Sequence, residues 1–386
     1  MRLQLTLLVT TLICIFALPL YSQDAPPRLQ DLGIKIGKYQ TGKWNAITDI
    51  EGVQVGHVTL VKGKGKLRPG KGPVRTGVTV VLPSKKGLWK NKFLAGSFVL
   101  NGNGEATGLM WIKESGTLET PIALTNTLNV GNVHKGMIQW MLSKYQKIGI
   151  SDDTVVPVVF ECDDSVLNDI RGMHVTAEHV TEAIENASGN KVEEGSVGAG
   201  TGMTTYDFKG GIGTSSRVLP KKSGGYRVGV LVNANHGNRD QLRIANLPVG
   251  KMIPDLKPSF HQEGSIVVII ATDAPLDSRQ LSRLAKRAML GLGRTGAVAN
   301  HGSGDVALAF STANRVPHYP KKKTYSIELL SDAYIDPLFE AVADATEEAI
   351  LNSLLAGKTT RGRDNNIIYG FPTDRLKKLF RQHGTL

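Results

Sequence analysis

The sequence predicts a layered α/β domain, and three observations carry that prediction. Short apolar runs rich in β-branched residues recur along the chain, amphipathic stretches with helical spacing lie between them, and 43 glycines supply turns and close backbone approaches. Several of the runs are apolar at every position, which suits strands covered on both faces. The 386 residues, 41% of them hydrophobic, are enough for one large core. No internal repeat and no long linker divides the chain.

The first segment reads as a signal peptide over 1–22. Arg2 gives a positive start, Leu3 to Leu20 are mostly apolar, and Tyr21, Ser22 and Gln23 restore polarity before Asp24. An uncleaved membrane anchor is the alternative, because the stretch approaches spanning length. Cys14 follows Ile13 and not a small residue, so lipid attachment there is not expected. Export to a periplasm is the expectation, with a mature chain 23–386 in which Cys162 is the remaining cysteine. One thiol makes neither an internal disulfide nor a zinc cluster, so Cys162 reads as a small buried apolar residue.

Strands are expected at 77–82, 155–160, 226–232, 265–271 and 306–310. The first helix is expected over 176–186, capped by Thr176 and carrying Val180, Ala183 and Ile184 on one face. A second spans 277–290, where Asp277 and Gln280 have capping-box spacing. Its Leu281, Leu284, Ala285 and Ala288 form a stripe away from Arg279, Arg283, Lys286 and Arg287. The loops 61–73 and 221–225 read as decorated turns. The net charge of +12 is concentrated in such loops, at Lys62, Lys64, Lys66, Arg68 and Lys71 and again at Lys321, Lys322 and Lys323. No interleaved aromatics or recognition helix accompany them, so nucleic acid is not an expected partner.

Gly291-Leu-Gly-Arg-Thr-Gly296 matches a dinucleotide-binding pattern, but it follows a helix instead of a strand, which is the wrong context. Phosphate-loop, zinc-protease and nucleophile-elbow motifs are absent from the sequence. The glycine-rich run from Glu194 to Thr205, continuing through Lys209 to Arg217, is either a backbone cradle for an anion or peptide or a set of compact turns. His301-Gly-Ser303-Gly-Asp305 sets a histidine, a serine and a carboxylate in one loop. Triad members usually converge from separate elements, so a tight turn is the first reading for it. Gly264-Ser265 opens an apolar strand, which by itself marks only a strand start. Its chemical potential is specific, however. Attack of the Ser265 hydroxyl on the Gly264 carbonyl, followed by hydrolysis, would leave a serine with a free α-amine. That amine, with pKa ~7.7–8, could serve as base for its own hydroxyl. Glycine at 264 leaves room for a strained carbonyl.

In these segments and several others the mature chain resembles the L-aminopeptidase/D-Ala-esterase-amidase family of serine aminopeptidases, which includes the β-peptidyl aminopeptidases. The resemblance runs from Ile47-Thr-Asp-Ile-Glu-Gly-Val-Gln-Val-Gly-His57 through Asn101-Gly-Asn-Gly-Glu105, Pro121-Ile-Ala-Leu-Thr-Asn-Thr127 and Leu167-Asn-Asp-Ile170. It continues through Gly198-Ala-Gly-Thr-Gly-Met203 and Leu231-Val-Asn-Ala-Asn-His-Gly237 to His301-Gly-Ser-Gly-Asp305. It implies an N-terminal-nucleophile-like αββα sandwich, with two mixed β-sheets between helical layers. A single peptidase domain would cleave itself between Gly264 and Ser265 into an α-chain 23–264 and a β-chain 265–386 that stay together, in a homo-oligomer of such αβ units.

The resemblance makes Ser265 the nucleophile, which forms an acyl-enzyme that water releases. Ser303 and Asp305 would support it, and Asn235, with Asn233 close behind, would hold the oxyanion. Glu161 would receive the free amine of the substrate, with a strand-end ion pair as the alternative reading. Substrates would be short peptides, amino-acid amides or esters, with no metal or organic cofactor. The chain departs from some relatives at Asp163, which is followed by Asp164, where they carry an aromatic residue. A further carboxylate there would favour a cationic terminus and remove apolar surface. Two rivals remain on sequence grounds: an acyltransferase resembling ornithine acetyltransferases, and a non-enzymatic envelope binding protein.

Overall fold

The computed structural model describes residues 26–260 and 264–383; the signal peptide expected at 1–22 and the ends expected at Gln23 and Leu386 lie outside them. In chain order come β1 (Gln54–Lys62), β2 (Val74–Leu82), β3 (Asn91–Gly102), α1 (Leu109–Ser115), β4 (Thr117–Leu118), β5 (Ile122–Thr125), α2 (Val130–Lys144), β6 (Val158–Glu161) and α3 (Ala177–Glu185). The hairpin β7 (Thr204–Thr205) and β8 (Phe208–Lys209) leads into β9 (Gly211–Val218), β10 (Arg227–Asn235), α4 (Val249–Met252), β11 (Ser265–Thr272), α5 (Ser278–Arg294), β12 (Gly304–Pro317) and α6 (Asp336–Ala356). The chain closes with β13 (Thr360–Arg361), β14 (Ile367–Ile368) and α7 (Thr373–Gln382).

Two mixed sheets result. One has the order β1-β2-β5-β6, with only β5 and β6 parallel; the other has the order β4-β3-β12-β11-β10-β9, with only β11 and β12 parallel. Helices α2 and α3 cover the first sheet, and α5 and α6 cover the second.

The apolar strand β11 shows why the expectation of two covered faces holds. Val267, Ile269 and Ala271 point into the core between the sheets, with Val81, Leu124 and Phe160. Ile266, Val268 and Ile270 point the other way, onto Leu281, Leu284, Ala285 and Ala288 of α5. Side chains alternate along a strand, so a strand between two apolar layers needs apolar residues in both registers.

The capping box of α5 forms as its spacing suggests: Gln280 N–H donates to Asp277 Oδ1 at 2.7 Å, and Asp277 N–H donates to Gln280 Oε1 at 3.2 Å. At the start of α3, Thr176 occupies the cap position, but it is His179 Nδ1 that accepts, taking the Thr176 N–H at 3.0 Å. Helix α6 escapes sequence periodicity because every residue from Ala341 to Ala356 is buried, leaving no polar face to mark its turns.

The glycine-rich run divides in two. Its second half is not a loop: Gly211–Val218 is β9, at the sheet edge under α6. A Cβ at Gly213 would fall 2.0 Å from Ala349 O, so glycine lets helix and strand backbones touch. The buried Arg217 there pairs with Glu348 at 2.7 Å. In the first half the backbone donors are spent internally: Gly198 N–H on Thr59 Oγ1, Ala199 N–H on Thr79 Oγ1 and Gly200 N–H on Val197 O. Buried Lys209 pins that loop by donating to the carbonyls of Gly200, Met203 and Gly210 at 2.9, 2.7 and 2.8 Å. These are compact turns, not an anion cradle.

Gly291, from the dinucleotide-like pattern, lies inside α5, where a Cβ would meet Ala343 O of α6 at 2.4 Å; it is a helix-packing glycine. The basic residues of both lysine-rich loops are exposed. Among the described residues no helix is long and apolar enough to cross a membrane.

Candidate active site

Ser265 is the first residue of β11, in the interior of the six-stranded sheet. The antiparallel register sets Asn235 of β10 opposite it, and the parallel register sets Asp305 of β12 beside Ile266. Three residues separated by tens of positions therefore meet because three neighbouring strands begin or end at one level. Ser265 is 7% exposed, and its Oγ accepts the Gly304 N–H at 3.1 Å.

The residue before Ser265 must be glycine. A Cβ on Gly264 would lie 1.6 Å from the Asn235 carbonyl oxygen, an impossible contact. The reason differs from the one read in the sequence: the constraint is the β10 backbone pressed against residue 264. Gly304 is equally closed, since its Cβ would meet Asn103 O at 2.3 Å.

Ser303 Oγ donates to Asp305 Oδ1 at 2.8 Å, and both residues are buried. Asp305 Oδ2 has no partner among the described residues. Burial pushes the Asp305 carboxyl up to about 6, with the Ser303 hydroxyl opposing. His301, from the same run, is exposed, so the run is not a triad.

Asn235 is fixed at both ends of its amide. Oδ1 accepts the Thr204 N–H at 2.7 Å, and Nδ2 donates to Asp163 O at 2.9 Å. The Cβ position built on Gly264 is only 3.2 Å from that Nδ2, so Asn235, and not Asn233, lies against residue 264. Asn233 sits opposite Val267, deeper between the sheets, with both amide atoms buried and unpartnered among the described residues.

Glu161 ends β6 in the other sheet. Its Oε1 accepts the Glu105 N–H at 3.1 Å, and the Thr127 hydroxyl bonds Oε2. Burial raises its pKa, opposed first by Thr127 and then by the Glu105 N–H. The next residue, Cys162, is fully buried, with Sγ 3.7 Å from Ser265 O, so the end of β6 and the start of β11 touch across the sandwich. Asp163 is half-buried; its Oδ1 accepts the Ser165 N–H at 2.7 Å, and its charge adds to the upward pressure on Glu161. Asp164 turns inward to Asn126 and Asn168, at 3.1 and 2.9 Å, and plays no part in the pocket.

Sequence reading missed the supporting donors: the N–H groups of Gly304, Thr204 and Glu105, and the Thr127 hydroxyl. Backbone donors carry no residue-type signal. The Asn101-Gly-Asn-Gly-Glu105 run did carry one, since Asn101 Nδ2 donates to Asn300 O at 2.6 Å and Asn103 Nδ2 to Gly302 O at 2.8 Å, locking the loop that presents Ser303 and Gly304.

The model of peptidase family S58 matches residues 45–368. The chain belongs to that family. It is 44% identical over 371 residues to a β-peptidyl aminopeptidase of Sphingosinicella xenopeptidilytica, covering 92% of each chain. Among solved structures, a Pyrococcus horikoshii protein superposes with TM-score 0.89 at 53% identity, over 93% of this chain and 100% of that one. The L-aminopeptidase D-Ala-esterase/amidase of Ochrobactrum anthropi superposes with TM-score 0.87 at 41% identity, over 93% of this chain and 99% of that one. That enzyme is described as a prototype for the serine aminopeptidases and a new variant of the N-terminal-nucleophile hydrolase fold. This S58 chain shares that fold, and the family resemblance read from its motifs is correct. It is a member of an aminopeptidase family.

Proposed function

We propose that this S58 protein is a self-processing serine aminopeptidase, cut between Gly264 and Ser265, that releases N-terminal residues through an acyl-enzyme on Ser265. One observation carries the reading: a buried serine hydroxyl follows an obligate glycine, with the Asn235 amide, the Gly304 N–H and the Ser303–Asp305 pair gathered at that bond.

In the first step Ser265 Oγ bonds to the Gly264 carbonyl carbon, the peptide C–N bond breaks and the nitrogen takes the hydroxyl proton. Water then splits the ester. The freed α-amine, with pKa ~7.7–8, is neutral in part near pH 7 and takes the hydroxyl proton when Ser265 attacks a substrate. Asn235 Nδ2 stabilises the oxyanion, the Ser303–Asp305 pair holds the protonation state at the nucleophile, and water releases the acyl group. Glu161 receives the substrate's free amine, with Asp163 adding negative charge beside it.

The substrates are short peptides, amides or esters with a free N-terminus. The Sphingosinicella relative's activity adds peptides that begin with a β-amino acid to the range to be assayed. The α-chain 23–264 and β-chain 265–386 would stay together, because β11 and β12 of one and β3, β4, β9 and β10 of the other complete a single sheet. We further propose export with loss of residues 1–22, action in a periplasm and assembly of αβ units into a homo-oligomer.

Intact-mass analysis of denatured protein tests the processing. Two chains, the smaller beginning at Ser265, are expected, and Ser265→Ala should give one uncut, inactive chain with activity lowered on the order of 10⁶-fold. A Ser265→Ala chain cut at the same bond would refute the mechanism.

A further inference from the structure

His236 follows Asn235 and is 4% exposed, yet neither ring nitrogen has a hydrogen-bond partner among the described residues. One face of the ring is held: it meets Tyr206 edge-on with centroids 5.1 Å apart, and the Tyr206 N–H donates to the His236 carbonyl at 2.8 Å. Tyr206 offers the imidazole nothing more, because its hydroxyl is engaged with Thr295 Oγ1 at 2.6 Å. Beyond the ring lies a cavity that His236 shares with Gly264, Ser303 and Asp305. Asp305 Oδ2 is the third buried, unpartnered polar atom among these residues.

Buried polar groups without partners are rare and costly, and their usual resolution is a bound water that makes two to four hydrogen bonds. The cavity leaves ≈ 10 Å³ in which a water centre can lie, room for about one molecule. Burial holds the imidazole neutral, its pKa pushed down to about 3, so one ring nitrogen donates and the other accepts. Asp305 Oδ2 accepts. A single water between them would donate one proton to Asp305 Oδ2 and the other to the ring nitrogen that accepts, leaving its lone pairs free at a wall formed by Gly264 itself.

We infer that His236 and Asp305 hold the water that hydrolyses the Gly264–Ser265 ester during self-cleavage, which makes His236 a catalytic residue of maturation. The inference rests on the self-processing reading above. In the step, the water oxygen bonds to the Gly264 carbonyl carbon and the bond from that carbon to Ser265 Oγ breaks. One water proton, passed through the His236–Asp305 pair, ends on Ser265 Oγ, and the remaining O–H completes the Gly264 carboxyl. Placement on the Gly264 side gives this water to the chain's own ester.

The test follows cutting of the full-length chain by intact mass over time after synthesis, with and without hydroxylamine, which splits esters without using the bound water. His236→Ala is expected to slow cutting on the order of 10²-fold. Hydroxylamine should restore cutting, releasing an α-chain that ends in Gly264 hydroxamate. His236→Gln, which keeps one donor and one acceptor, should be slowed about tenfold and be restored likewise. If the alanine chain fails to fold, the glutamine chain decides by the same rule. Cutting at the wild-type rate, or a deficit that hydroxylamine leaves in place, overturns the inference. A wild-type chain left uncut would instead refute self-processing, whereas wild-type cutting with unimpaired His236 variants would remove only the role of His236.

Discussion

The two carboxylates of the site, Glu161 on one sheet and Asp305 on the other, are both buried but are provided for differently. Each oxygen of Glu161 has a donor fixed by the fold, the Glu105 N–H and the Thr127 hydroxyl. Asp305 has Ser303 on one oxygen and no partner among the described residues on the other, so burial carries its pKa up to about 6. A carboxylate with a donor on each oxygen is suited to receive a cation, and at Glu161 these donors oppose the upward push of burial. A carboxylate with one free oxygen and a raised pKa is suited to exchange a proton. On the proposed mechanism binding falls to the β6 end of the sandwich and chemistry to the β11 end, a division that can be broken from either side.

Among changes that leave the nucleophile in place, the largest effect is expected from Asn235→Ala at the chemical end: kcat should fall on the order of 10²–10³, with little change in KM. A variant altered in KM alone would move Asn235 to substrate binding. Glu161→Gln at the binding end should act the opposite way. It should raise KM for substrates with a free amine on the order of 10²-fold and leave self-cleavage intact, as measured by intact mass beside steady-state kinetics. Equal losses against an N-acylated ester would mean that Glu161 does not recognise the amine.

The smallest expected effect, and the one that separates the two carboxylates, is in the pH profile. The Ser265 α-amine must be neutral to act as base, so log kcat/KM should fall by about one unit per pH unit below ~7.7. Below about 6 the protonation of Asp305 should steepen this to about two, because the neutral acid no longer draws the Ser303 proton. Asp305→Asn should return the slope to about one, measured between pH 5 and 8. The stability term has the opposite sign: the folded chain holds the Asp305 proton more tightly than the unfolded chain does, so ionisation through about 6 costs stability while it adds activity. Glu161→Gln should leave the lower inflection in place.

Legibility in the sequence followed local signal. β11 and α5 were readable because a β-branched run and a stripe with a capping box are local patterns. β9 was hidden by its glycines, serines and threonine, which are chosen for the approach of α6 and for buried polar contacts instead of strand propensity. α6 was hidden by uniform burial. Within the site, the motif residues at 161, 235, 265, 303 and 305 could be named in advance. The donors that hold them could not, since most are backbone N–H groups and every residue but proline has one.

What the sequence by itself determined was the family, the layered α/β class and the glycine–serine step at which chemistry can begin. Only the tertiary structure decided why residue 264 admits no side chain, which asparagine lies against it, and that His236 and Asp305 share a cavity with unpartnered atoms. The physical reason is that these are facts of register. Strands β10, β11 and β12 are far apart in the chain and become neighbours only through pairing, and one residue of slip in that pairing would turn Ser265 toward α5.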